Sequence, residues 1–120
     1  MAWKFENHAP VYMQIVWHIK NDILNGVYGA DEQIPSVRQL AQMAAVNPNT
    51  MQRALSELEA EGLLYSKGTA GRYVSGNSDV LKEARKEEVK RLLDDFLKKA
   101  DALSISKEEI ISFLKEESDK

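Results

Sequence analysis

Between Ile34 and Leu64 the chain carries start and stop signals for two short helices, set so close together that few arrangements of them remain. Ser36 is placed to N-cap the first, and Gln39 three residues on completes a Ser-x-x-Gln capping box. Asn47 is placed to cap the second, with Pro48 at the first helical position, where its missing N–H costs nothing. Gly62 supplies the left-handed residue that ends it. Val37, Leu40, Ala41 and Ala44 make one apolar stripe, and Met51, Ala54, Leu55 and Leu58 another, with Val46 filling the turn between them. The small Ala side chains let the two helices cross closely. A short helix, a tight turn and a second helix with a free polar N-terminal face is a helix-turn-helix arrangement.

The rest of the chain reads as support for that unit. Residues 1–9 show no period and are expected to form an extended arm. A helix is expected from Pro10, with Tyr12, Ile15, Ile19 and Ile23 as its core stripe, Val16 and Leu24 widening it, and Gly26 as its stop. On the second motif helix, Asn49, Thr50, Gln52, Arg53 and Ser56 lie on or beside the face away from the core. Those residue types suit a major groove: Arg bonds guanine bidentately, Asn or Gln bonds adenine, and Thr meets a base or a thymine methyl. Taken alone, such a face is only a solvated surface around an N-cap. The segment after Gly62 gives it another meaning. Leu63–Lys67 and Arg72–Ser75 are two short strands around a Gly-bearing turn, Gly68-Thr69-Ala70-Gly71, flanked by Lys67 and Arg72 and free of acidic residues. A basic-tipped hairpin directly after a helix-turn-helix makes a winged helix, whose glycines let the backbone approach phosphate.

Composition sets limits on this reading. The formal net charge is −3, and neither part of the chain is basic: residues 1–76 carry six Lys and Arg against seven Asp and Glu, residues 77–120 ten against twelve. A nucleic-acid surface therefore rests on where the cations lie. With no cysteine there is no disulfide framework, thiolate metal site or cysteine nucleophile. His8 and His18 stand apart from any paired carboxylate motif, so no metal site and no cofactor are expected. No Gly-rich phosphate loop and no nucleophile with a base occur, which sets an enzyme aside. No apolar run approaches a membrane span and no signal-peptide layout opens the chain, so no membrane partner and a cytoplasmic location are expected.

Pro10-x-Tyr12-x-Gln14-Ile15, Ile34-Pro35-Ser36-Val37-Arg38-x-Leu40-Ala41, Val46-Asn47-Pro48-Asn49-Thr50-x-x-Arg53-Ala54-Leu55-x-x-Leu58-x-x-Glu61-Gly62 and Gly71-Arg72-Tyr73-Val74 succeed one another in register. Together they resemble the GntR family of bacterial transcription regulators over roughly residues 10–75. The resemblance implies an N-terminal winged helix-turn-helix that binds a palindromic operator as a dimer. It assigns Ser36 and Arg38 to backbone phosphates, Asn49, Thr50, Gln52 and Arg53 to the groove, and Gly68, Thr69 and Arg72 to the wing. Two departures stand out. Thr69 and Arg72 replace the first Gly and the Thr of the common Gly-x-Gly-Thr-Phe-Val wing, and Pro48 stands where many relatives carry Arg.

After a break at Asn77 and Ser78, Asp79–Ala100 is a charged amphipathic stretch with Leu81, Ala84, Val89, Leu92, Leu93, Phe96, Leu97 and Ala100 at helical spacing. A loop from Asp101 to Ile105 leads to a second capping box, Ser106-x-x-Glu109, and to a short helix with Ile110, Ile111, Phe113 and Leu114. The expected fold is thus mainly α with a small β-hairpin: a winged helix-turn-helix over 1–76 and a helical dimerisation tail over 77–120. Two helices cannot bury all that apolar surface between themselves, and Leu81, Val89, Leu92, Leu93, Phe96, Leu97, Ile110, Phe113 and Leu114 are the expected homodimer contacts. In so short a tail no ligand-sensing domain is expected. The tail resembles that of the YtrA-like subgroup, whose members commonly repress operons for ABC-type transporters. The expected function is a sequence-specific DNA-binding repressor of double-stranded, inverted-repeat operators. Arg38, Lys67 and Arg72 would fix its position through phosphates. The alternative is a winged-helix protein–protein interaction module without DNA binding of its own. A small-molecule effector of unknown identity stays open, but Trp3, Phe5, Trp17, Tyr28 and Phe96 are read as core packing before they are read as a pocket.

Overall fold

The computed structural model describes residues 2–119; Met1 of the expected arm and Lys120 of the expected tail lie outside them. Seven elements occur in order: α1 (Val11–Leu24), α2 (Val37–Ala44), α3 (Pro48–Ala60), β1 (Leu64–Ser66), β2 (Arg72–Val74), α4 (Ser78–Ala102) and α5 (Lys107–Ser118). They divide into two compact units, one up to Ala84 and one from Arg85 on.

The first unit is built on local signals that all agree. The Ser36 hydroxyl accepts from the Gln39 amide while the Gln39 side chain accepts from the Ser36 amide, so both halves of the capping box are made. Asn47 caps α3 through the Asn49 amide, and Gly62 sits just beyond its end at φ +81°. Ala45, at φ +58°, makes the left-handed turn between α2 and α3. Against one another, α1, α2 and α3 bury Ile15, Ile19, Leu40, Met51, Leu55 and Leu58, each under 2% exposed, and Leu63, Leu64 and Val74 of the hairpin region close the same core. Trp3, Phe5, Tyr28, Val37 and Val46 pack around its rim, as do Val80, Leu81 and Ala84 from the start of α4.

Three features differ from the sequence expectation. The hairpin gains a short third partner: Asp31 N–H donates to Val74 O, Val74 N–H to Glu32 O and Ile34 N–H to Arg72 O, so residues 31–34 run antiparallel along the free edge of β2. Tyr12 is not a core residue but half-buried on the flank of α1. The last long helix runs on to Ala102, because its final carbonyls find donors in a tight turn. Leu103 and Ile105 N–H both bond Ala100 O there, with Ser104 at φ +60°.

In the second unit Ser106 and Glu109 complete the second capping box. Ala100 is the one buried residue described there; Leu97, Ile105 and Ile110 are half-buried beside it. Phe96, expected both as a dimer contact and as core packing, is 53% exposed in the single chain and so does not pack in a core of its own unit.

Candidate nucleic-acid interface

Packing of one side of α3 decides what the other side offers. Met51, Ala54, Leu55 and Leu58 are buried, so Asn49, Gln52 and Arg53 must project outward, and all three are exposed; Thr50 is half-buried between the faces. The Gln52 side chain donates to the Ser56 hydroxyl at 3.5 Å, one turn on. At the start of α2, Ser36 and Arg38 are exposed, and the Ser36 hydroxyl is already engaged in its cap. The hairpin tip presents Lys67, Gly68 and Thr69, all exposed, with the Lys67 ammonium 5.7 Å from the Tyr73 ring centroid. Ser36, Thr69 and Arg72 meet around one open cleft of about 740 Å³, together with Tyr28, Gln33 and Gln39. Arg53 lies elsewhere, with its guanidinium carbon 3.7 Å above the Tyr12 ring.

The hairpin is held in place from both sides. The Gln33 side-chain amide donates to Ala70 O at the tip. Gly71 has φ +106°, and a Cβ there would lie 2.8 Å from Gln33 Nε2, so both its backbone angle and its bareness are used. On the other side the Glu59 carboxylate accepts from Ser66 Oγ at 2.6 Å and Arg72 Nε at 2.5 Å. The Ser66 hydroxyl first, and then Arg72, hold that carboxyl below the usual carboxylate range, against an opposing effect of burial. Arg72 is therefore half-buried and shares its charge with Glu59. At the hairpin root Tyr65 donates its hydroxyl to Asp31 Oδ1 at 2.9 Å, which raises the phenol's pKa.

Of three residues that shape this surface, Tyr12, Gln33 and Glu59, the sequence reading puts the first in the core and misses the other two. They act across 41, 37 and 13 positions of chain, beyond any helical or strand period. The Pro10-x-Tyr12-x-Gln14 segment was the available signal for the first. The two histidines have ordinary partners: His18 stacks on Trp3, with ring centroids 3.7 Å apart, and lies 3.4 Å from Asp22; His8 pairs with Glu6. Among the described residues no group of three His, Cys, Asp or Glu is placed to hold a metal ion. No described helix is long and apolar enough to cross a membrane.

A helix-turn-helix whose outward face is polar, continued at once by a pinned two-stranded hairpin, defines a winged helix-turn-helix domain of the DNA-binding kind. The model of bacterial regulatory proteins of the gntR family matches residues 11–74. The chain belongs to the GntR family of transcriptional regulators. It is 33% identical over 109 residues to the HTH-type transcriptional repressor YtrA of Bacillus subtilis, covering 90% of this chain and 84% of that one. A GntR family transcriptional regulator from Listeria monocytogenes has the same fold at TM-score 0.85 and 35% identity, over 93% of this chain and 98% of that one. AraR(DBD), solved in complex with operator ORX1, matches 60% of this chain and 93% of its own at TM-score 0.57 and 30% identity.

Proposed function

We propose that this regulator is a cytoplasmic repressor that binds an inverted-repeat operator as a homodimer, with the winged helix reading DNA and the tail pairing two copies. The observation that carries the reading is the uncovered N-terminal half of α3: Asn49, Gln52 and Arg53 stand free of the core while Met51 and Ala54 beside them are fully buried. A helix packed in that way presents base-reading side chains without strain, and its early turns are the part that enters a major groove. Ser36 and Arg38 would sit beside a phosphate of the same half-site, and Lys67, Gly68 and Thr69 would track the neighbouring backbone. The relatives named repressor and the operator complex of AraR(DBD) support the same reading. The regulated target in this proposal is an ABC-transporter operon, as the resemblance of the short tail to the YtrA-like subgroup implies.

Pairing rests on the second unit. Val89, Leu92, Leu93, Phe96, Ile111, Phe113 and Leu114 are each more than half exposed, and large apolar side chains left in water in such number favour a partner surface. A two-fold pair of tails would cover it, and two-fold protein symmetry calls for a two-fold operator.

Selection of bound sequences from a randomised duplex pool, and then footprinting, tests the reading. The expected product is an inverted repeat, with protection of two half-sites one helical turn or a multiple apart. Enrichment of no sequence, or equal affinity for unrelated duplexes, would overturn it. Sedimentation at micromolar concentration is expected to give a dimer; a monomer there removes the role assigned to the tail.

A further inference from the structure

The Pro10-x-Tyr12-x-Gln14 segment carries side chains that DNA reading by α2, α3 and the wing leaves without a task. In the structure they form a support for one arginine. We propose that Tyr12 is a positioning residue, whose ring holds the Arg53 guanidinium in place at the flank of α3, ready for DNA; the inference rests on the DNA-binding function proposed above.

Arg53 differs from Arg72 and Lys20. Arg72 is paired with Glu59 and Lys20 with Glu61, so each has a carboxylate against its charge. Arg53 has an aromatic face instead, 3.7 Å from its guanidinium carbon, and no described carboxylate pairs with it. A ring attracts the cation through its quadrupole but leaves the full positive charge and the N–H edges of the guanidinium uncommitted. An exposed arginine otherwise samples many rotamers, and ordering it on binding costs free energy. A ring that orders it beforehand removes part of that cost.

The support for Tyr12 is itself anchored. Tyr12 lies in the first turn of α1, where Pro10 gives no side-chain cap. Gln14 instead ties the preceding chain to the helix. Its carbonyl oxygen accepts from Glu6 N–H at 2.8 Å, and its amide donates to Glu6 O and Ala9 O, each at 2.8 Å. The entering chain is thereby fastened to the helix next to Tyr12, which limits fraying of the turn that bears the ring.

Nitrogen NMR of the free protein and titration of the selected duplex test the two halves separately. Free wild-type protein is expected to show the Arg53 Nε–H signal shifted by the Tyr12 ring current, retained in Tyr12→Phe and lost in Tyr12→Leu. On the duplex, Tyr12→Leu is expected to bind roughly two- to fivefold more weakly and Tyr12→Phe as wild type. The Tyr12→Leu, Arg53→Ala double variant should bind no worse than Arg53→Ala alone. Arg53→Lys, an exposed change that does not depend on refolding of α1, should also bind more weakly. An unshifted Arg53 signal, equal losses for the Phe and Leu variants, additive losses in the double variant, or wild-type binding by Arg53→Lys would each overturn the proposal. If no duplex is selected at all, the DNA-binding function fails, while the ring-current shift still decides whether Tyr12 holds Arg53.

Discussion

The two units use the same vocabulary and reach opposite outcomes. Each has amphipathic helices, and each has a helix opened by a Ser-led capping box. Up to Ala84, three helices and the hairpin region enclose Ile15, Leu40, Met51, Leu58 and Val74 almost completely. From Arg85 on, Leu92, Leu93, Phe96, Phe113 and Leu114 remain more than half exposed, and α5 buries no residue. Amphipathic pattern alone therefore does not say where an apolar stripe goes. Three helices that cross one another can close a core; two need something more. The first unit is expected to hold its fold by itself, the second to depend on concentration.

The largest effect should come from the closed core. Leu58 is fully buried, and Leu58→Ala should lower stability by about 2–5 kcal/mol in denaturant unfolding, because the surrounding helices cannot collapse onto the void. The counterpart change in the tail should leave that transition in place. Phe96→Asp puts a charge where the proposed dimer is dry, and the dimer dissociation constant should rise by roughly 30-fold or more in sedimentation equilibrium. If Phe96→Asp instead unfolds the first unit, or leaves a dimer intact, the contrast between the units is wrong.

A smaller effect is expected where the wing is tied to α3. Glu59→Gln keeps the shape of the side chain but removes the charge that Ser66 and Arg72 bond, at a cost of about 1–2 kcal/mol for a part-exposed, charge-assisted pair. The pH dependence has a definite sign. The folded pKa of Glu59 lies below its ordinary value of 4.5, so its contribution is present above that value and is lost as pH falls through the lower, folded one. Wild type should therefore lose more stability on acidification than Glu59→Gln, with the two curves converging at low pH. Parallel curves would mean that the carboxylate does not hold the hairpin.

Much of this was legible because it is local. Ser36 with Gln39, Asn47 with Pro48, and Gly62 each state a helix boundary within four residues, and the stripe from Met51 to Leu58 states which side of α3 is buried. The polar face of α3, and so most of the candidate site, came from that stripe. The remainder depends on partners far along the chain. Residues 31–34 pair with β2 through bonds between positions about forty apart, and that segment is too short to show an alternating pattern. Tyr12 falls on the apolar period of α1, which placed it in the core, yet it turns toward Arg53 of another helix. Arg72 looked free beside the hairpin tip because Glu59, thirteen residues earlier, comes next to it only once α3 and the hairpin are packed.

The finest test compares two identical pieces of local chemistry. Ser36 opens α2 and Ser106 opens α5, each accepting from the amide three residues on at 3.1 Å, with the return bond made by Gln39 or Glu109. Replacing either by Ala removes the same cap, about 1 kcal/mol of helix stability. What that loss reaches should differ. Leu40, Ala41 and Ala44 of α2 lie in the closed core, so α2 cannot fray without opening it, and Ser36→Ala should shift the cooperative unfolding transition by the full amount. None of α5's residues is buried, so it can loosen without opening that core. Ser106→Ala should leave the main transition where it is, and hydrogen exchange at the α5 amides should quicken by roughly fivefold. The same shift of the main transition in both variants would mean that the chain unfolds as one cooperative block. The exposed tail would then owe its stability to the first unit, not to a second copy.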